Sequence, residues 1–144
     1  MALAAAGRAG DAARMVESME CYAAEGGETE AAVAGEPGLA LAQGLLAHRR
    51  GDYARAVEEL LPVRHTIRRI GGSHAQRDLF EGMLIDSVLR AGRFDQAKAL
   101  LADRLQRRPR NAWGWRHYAR VLDRLGDGAG AATARATAER LIAA

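Results

Sequence analysis

The chain has 144 residues, which at roughly 100–200 residues per domain predicts one domain over residues 1–144. Hydrophobic residues make up 49% and charged residues 27%, a balance that excludes intrinsic disorder, while 32 alanines and three prolines favour helix over sheet. The net charge of +3 is too small to steer the whole chain towards nucleic acid, and no apolar run approaches the ~18–20 residues that span a bilayer, so we expect a soluble, cytoplasmic, all-α protein.

Helices are predicted along most of the chain, because apolar residues recur at helical spacing. The first is predicted near residues 9–24, and residues 2–9 resemble the end of a helix whose start is missing. Six more follow, at residues 36–49, 52–70, 74–91, 93–107, 112–125 and 128–143. Pro62 lies inside the second of these six and is expected to kink it.

Two polar residues are placed to begin helices. Ser73 is followed three residues later by Gln76, which is a capping-box pattern ahead of an apolar run. Asn111 precedes the predicted helix at residues 112–125, and Pro109 closes the helix before it.

A glycine followed five residues later by an alanine recurs four times along the chain. The pairs are Gly7 and Ala12, Gly51 and Ala56, Gly92 and Ala97, and Gly126 and Ala131. The alanines lie 44, 41 and 34 residues apart. A glycine supplies the left-handed residue that ends a helix, and a small alanine one turn into the next helix lets the two helices approach. The pattern predicts helical hairpins at residues 36–70, 74–107 and 111–143, after an incomplete hairpin at residues 1–25.

The chain resembles the tetratricopeptide repeat (TPR) family, which has a 34-residue period, over nearly its whole length. The positions that match the family pattern are Gly44, Tyr53, Ala56, Phe94, Ala97, Pro109 and Trp115. Ile85 stands where the family has a small residue, and Arg135 stands where it has an apolar one. A narrower resemblance, carried by LLPVRHTIRRIGGSHAQRDLF (residues 60–80), is to the C-terminal part of tetratricopeptide repeat protein 38-like proteins, which are longer than this chain. The resemblance implies a right-handed solenoid of helical hairpins that acts as a protein-interaction scaffold.

In the family, the first helix of each hairpin lines a concave groove. The register of the resemblance places there Leu41, Leu45, His48, Arg49, Leu79, Met83, Asp86, Arg90, Trp113, Arg116, His117, Arg120 and Arg124. The basic residues between 116 and 124 share one helical face. A basic groove that also offers leucine and methionine suits an acidic, partly apolar peptide. The alternative interpretation is a solvated arginine face that is balanced by Asp123 and Asp127.

The sequence contains no recognisable catalytic or cofactor motif. The four histidines, at positions 48, 65, 74 and 117, match no metal-ligand spacing. The glycine pairs follow predicted helices rather than strands, which excludes a dinucleotide-binding turn. Cys21, the single cysteine, has no partner for an intrachain disulfide and is expected to pack as a small apolar residue. We therefore expect no enzyme activity, no metal and no cofactor.

Three kinds of partner remain open, and none of them is a membrane. The first is a peptide in the groove. The second is the chain itself: the N-terminal end of the stack lacks a polar capping repeat, which predicts either a homodimer there or a missing N-terminal domain. A related alternative is a purely structural role, in which the chain is a self-associating segment that stabilises a longer helical-repeat protein. The third, to which we give least weight, is single-stranded nucleic acid at RRPRN (residues 107–111) with Trp113 and Trp115 as stacking platforms.

Overall fold

Short turns separate the helices of this protein, and a few residues in each turn fix where the helices begin and end. The computed structural model describes residues 6–27 and 29–143. The α-helices are α1 (Ala9–Glu25), α2 (Thr29–Val33), α3 (Ala40–Arg50), α4 (Tyr53–Val63), α5 (His74–Arg90), α6 (Phe94–Arg107), α7 (Ala112–Arg124) and α8 (Gly128–Ala143). The described residues contain no strand, so the prediction of an all-α protein is confirmed. None of the helices in those two ranges is long and apolar enough to cross a membrane.

The four repeat glycines all have left-handed backbone angles. Their φ values are 74° at Gly7, 82° at Gly51, 72° at Gly92 and 82° at Gly126. At the last three, the glycine N–H donates to the carbonyl three residues back, and the next N–H donates to the carbonyl five residues back. This pair of hydrogen bonds satisfies carbonyls that the end of a helix leaves open. The alanine five residues after each glycine is at most 2% exposed, so the turn-and-alanine pattern predicted from the sequence is confirmed.

The chain divides into two compact units, Met1–Ser87 and Val88–Ala144, and the boundary falls within α5. In the first unit α3 and α4 pack against each other as a hairpin, and α1 packs against the segment Ala34–Leu39. Gly44 lies at the close approach of α3 and α4, because a Cβ atom there would be only 2.6 Å from Cγ of Leu60. A small residue at this position is what allows the two helices to pack so closely.

In the second unit α7 packs against both α6 and α8. The buried apolar side chains of this unit include Val88, Ala97, Leu100, Leu101, Leu105, Ala119, Val121, Leu122, Ala131, Ala134 and Ala138. Every residue of α8 that is fully buried is an alanine. The contact of α8 with α7 therefore relies on small side chains.

Two predicted helices differ from the observed ones by more than one residue, and a proline accounts for the difference in each. The helix predicted at residues 36–49 begins only at Ala40, because Glu36 has extended backbone angles before Pro37 and the segment Ala34–Leu39 is an irregular π-helical turn. The helix predicted at residues 52–70 ends at residue 63, one residue after Pro62. The predicted kink in a continuous helix was therefore wrong, and the chain resumes as a separate 3-10 helix at Ile67–Ile70.

The remaining predicted helices agree with the observed bounds within one residue. Residues 1–5 of the predicted first hairpin lie outside the described residues. Both predicted caps are confirmed. The backbone N–H of Gln76 donates to the Ser73 hydroxyl at 3.2 Å, and the backbone N–H of Ser73 donates to the Gln76 side chain at 2.7 Å. The Asn111 side chain accepts the backbone N–H of Gly114 at 2.5 Å.

Two glycine-to-alanine substitutions are expected to change stability in opposite directions. Gly92 has a left-handed backbone that an alanine adopts at a cost, so Gly92→Ala is expected to lower the free energy of unfolding by about 1 kcal/mol. Gly82 lies within α5, and a Cβ atom there meets nothing within 4 Å, so Gly82→Ala is expected to raise it by about 0.5–1 kcal/mol. Urea denaturation followed by circular dichroism measures both effects. Equal effects of the two substitutions would contradict the special role of the turn glycine.

Candidate functional site

One of the predicted groove positions of the first unit, His48, is a half-buried histidine with several polar and aromatic neighbours. His48 on α3 lies with Nδ1 2.9 Å from the Ser87 hydroxyl and with Nε2 3.7 Å from the carboxylate of Asp86, both on α5. Its ring and the Tyr53 ring form a T-shaped pair, with 5.5 Å between centroids. The structure thus brings together the predicted groove positions His48 and Asp86. The other predicted positions of this unit differ in exposure: Leu41 is buried in the core, Leu45 and Met83 are half-buried, and Arg49 and Leu79 are exposed.

A serine and a carboxylate on the two nitrogens of a histidine are also the groups that nucleophilic catalysis uses. Ser87, however, is fully buried and its hydroxyl donates to the carbonyl of Met83 at 2.8 Å. Its oxygen is therefore left to accept the Nδ1–H of His48, and no substrate reaches it. The arrangement ties α3 to α5 and leaves the serine no nucleophilic role.

Sequence analysis missed Ser87 as the partner of His48. The two residues are 39 positions apart, so no local spacing relates them. The available signal was the place of Ser87 within the apolar face of α5, between the buried Leu84 and Val88. A serine on a buried helix face requires a hydrogen-bond partner, although that requirement does not say which residue provides it.

The second unit presents an exposed face of α7, where all of the remaining predicted groove positions except Arg90 lie. Trp113 is 38% exposed, Arg116 and Arg120 are exposed, and His117 is half-buried. The imidazole of His117 stacks on the Trp113 ring with 4.1 Å between centroids. The guanidinium of the buried Arg104 lies 5.5 Å from the centroid of the same ring. The exposed tryptophan is therefore held in place by two side chains of its own unit.

We call Arg116 and Arg120 the arginine row. They lie one helical turn apart, and neither forms an ion pair with a carboxylate in the part of the chain that the structure describes. Arg124, the next predicted position, differs because its guanidinium lies over the ring of Phe94 at 5.3 Å from the centroid. Arg90 is also exposed, at the end of α5. The arginine row therefore has two cations available for a partner.

Asp123 and Asp127, which the alternative interpretation pairs with the arginines of α7, do not form ion pairs with the arginine row. Asp123 pairs with Arg135 of α8 at 2.5 Å. Asp127 caps α8, because its side chain accepts the backbone N–H of Gly130 at 2.9 Å. Both carboxylates thus have partners elsewhere in the second unit.

The two units carry opposite net charges. Residues 1–87 contain nine basic and thirteen acidic side chains, a net charge of −4, whereas residues 88–144 contain twelve basic and five acidic ones, a net charge of +7. The whole-chain value of +3 hides this difference. A net charge of +7 on so small a unit favours negatively charged partners.

A cavity of about 420 Å³ lies beside α1 in the first unit. Its α1 side is lined by Val16, Glu17 and Glu20, and the opposite side by Leu46, Arg50 and Arg55. Glu20 accepts a hydrogen bond from the side chain of Gln43 at 3.0 Å, and Arg55 forms an ion pair with Glu59. The cavity is thus lined by both charged and apolar side chains.

The prediction that Cys21 packs as an apolar residue was wrong, because Cys21 is exposed. It lies on the face of α1 opposite the buried Ala12 and Val16. Within residues 6–27 and 29–143, no group of three histidine, cysteine, aspartate or glutamate side chains is placed to hold a metal ion.

No model of a known protein family matches the sequence. The features of the chain that bear on its function are the recurring helical turns, the exposed arginine row and the opposite charges of the two units.

Proposed function

We propose that this chain is a non-catalytic, cytoplasmic protein-interaction scaffold of the TPR type, in which helical hairpins stack as a right-handed solenoid. Three observations support the TPR assignment. The same hydrogen-bonded turn recurs after Gly51, Gly92 and Gly126. A buried alanine follows each of these turns at the same interval. Gly44, which matches a small position of the family, lies at a close approach of two helices.

The ligand that we propose is an acidic, partly apolar segment of a protein, bound at the arginine row. The observation that carries this proposal is the exposure of Arg116 and Arg120 without carboxylate partners among the described residues, on a unit with a net charge of +7. A guanidinium presents N–H donors in a fork that matches a carboxylate. Trp113, one turn before the row, adds an exposed apolar surface.

Single-stranded nucleic acid is the weaker proposal, because the exposed aromatic ring already has partners. Base stacking needs an open aromatic face. The Trp113 ring instead stacks with His117 and lies close to the guanidinium of Arg104. The second tryptophan of the motif, Trp115, is half-buried and donates its indole N–H to the carbonyl of Pro109 at 2.8 Å.

A peptide-binding measurement tests the proposal. The probe is a fluorescein-labelled synthetic peptide of alternating glutamate and leucine, and its binding is followed by fluorescence anisotropy at low ionic strength. We expect the variant Arg116→Gln, Arg120→Gln to bind it about 10- to 100-fold more weakly, because each arginine contributes about 1 kcal/mol. Added salt is expected to weaken the wild type more than the variant.

The matched control removes the same charge at another surface. Arg68 and Arg69 are exposed in the first unit, so Arg68→Gln, Arg69→Gln is expected to leave peptide binding within about twofold of the wild type. Equal losses in both double variants would show a general charge effect and would overturn the arginine row as the binding site. An oligothymidylate probe of the same length tests the weaker proposal, and tighter binding of that probe than of the peptide would replace ours.

A further inference from the structure

We infer that the acidic segment bound at the arginine row is helix α1 of a second copy of this chain. This inference rests on the proposed function, because it names the partner of the same site. It commits to a contact between two different surfaces, the α1 surface of one copy and the α7 surface of the next.

Charge complementarity within the sequence is the first argument. Helix α1, residues 9–25, contains four acidic side chains and one basic one. Residues 107–124 contain six basic side chains and one acidic one. The acidic surface of one copy attracts the basic surface of another, whereas two copies of the same surface repel each other. The charges therefore favour a contact between the α1 surface of one copy and the α7 surface of the next.

The spacing of the charges on the two helices is the second argument. Glu17 and Glu20 are exposed and lie about one turn apart on α1, as Arg116 and Arg120 do on α7. Glu17 has no ion-pair partner within the described ranges, and Glu20 is held by a hydrogen bond from Gln43. Two helices side by side can therefore form both glutamate–arginine pairs at once.

The cavity beside α1 is the third argument, because it gives the partner helix a place to pack. Its volume of about 420 Å³ is far larger than the ~30 Å³ of a water molecule, and Val16 and Leu46 supply apolar contact. Glu17 and Glu20 line one wall. Arg55 on the opposite wall is already paired with Glu59, so Arg50 is the lining cation that would repel an incoming arginine row.

When α1 of one copy binds α7 of another, the first copy still has an unoccupied α7 surface and the second an unoccupied α1 surface. Such an interface produces chains or rings unless the two copies form it reciprocally. The wild-type chain is therefore expected to associate in a concentration-dependent and salt-sensitive way.

Sedimentation velocity of the full chain at micromolar to 100 µM concentration and low ionic strength tests the inference. We expect the wild type to form species larger than a monomer. The variants Glu17→Gln, Glu20→Gln and Arg116→Gln, Arg120→Gln are each expected to associate at least about tenfold more weakly. An equimolar mixture of the two variants is expected to form dimers and nothing larger, because the first variant keeps α7 intact and the second keeps α1 intact.

Three further variants sharpen the test. Arg50→Gln removes the repelling cation at the cavity and is expected to strengthen association several-fold. Arg68→Gln removes the same charge from the same unit at a residue that does not line the cavity, and is expected to leave association within about twofold of the wild type. Glu30→Gln, Glu36→Gln removes two exposed carboxylates outside α1 and is expected to associate within about twofold of the wild type.

Three outcomes overturn the inference. They are a monomeric wild type at 100 µM, a mixture of the two variants that stays monomeric, and a loss with Glu30→Gln, Glu36→Gln equal to that with the α1 variant. If the wild type is monomeric but still binds the glutamate–leucine peptide through the arginine row, the second copy is excluded as the partner while the proposed function stands. If it neither associates nor binds the peptide, both proposals fail.

Discussion

Replacing Ile85 with alanine is expected to lower the free energy of unfolding by about 2–5 kcal/mol. Ile85 is fully buried and is among the largest side chains that have no exposed surface. Truncation removes buried apolar atoms and leaves a cavity that the surrounding side chains fill only in part. The resemblance to the TPR family places a small residue at this position, so a small residue would be tolerated if the packing followed the family pattern. The structure instead predicts that a small residue at position 85 destabilises the protein.

Chemical denaturation followed by far-ultraviolet circular dichroism measures this loss. Ile142→Ala is the matched control, because it removes the same atoms from a side chain that is 57% exposed. The control is expected to change the free energy of unfolding by less than about 0.5 kcal/mol. Similar values for the two substitutions would mean that Ile85 is not packed as the structure has it.

Local signals in the sequence were sufficient to predict most of the helices. A cap such as Asn111, or a turn glycine followed by a buried alanine, acts within five residues, so its effect can be predicted from neighbouring positions alone. The bounds near Pro37 and Pro62 were not predictable in the same way. A proline within an apolar pattern either kinks a helix or ends it, and packing elsewhere decides between the two.

The candidate site was predictable only in part, because its properties depend on contacts between distant positions. Helical spacing placed Arg116 and Arg120 on one face. Nothing in that spacing shows that Arg124 packs over Phe94, or that Asp123 pairs with Arg135. These contacts decide which cations remain available to a partner. The opposite charges of the two units were also hidden, because the net charge was summed over the whole chain.

Removing α8 is expected to destabilise the second unit. A chain that ends at Asp127 loses the helix that packs against α7, including the buried Ala131 and Ala134. In a stack of helical hairpins each helix is stabilised mainly by its neighbours, so the loss exposes apolar surface of α7. We expect the melting midpoint followed by circular dichroism to fall by about 5–10 °C, which corresponds to a loss of about 2 kcal/mol. An unchanged midpoint would contradict this account.

Two point substitutions test whether close packing of α8 against α7 contributes to stability when the whole helix is still present. Ala134 is buried and Ala132 on the same helix is exposed, so Ala134→Leu and Ala132→Leu add the same atoms in different surroundings. Overpacking at position 134 is expected to cost about 1–3 kcal/mol, because the α8 side of the contact has no room for a larger side chain. The change at position 132 is expected to stay within about 0.5 kcal/mol. If only the truncation has an effect and Ala134→Leu has none, then α8 covers α7 loosely, and close packing of small side chains is not what stabilises this end of the chain.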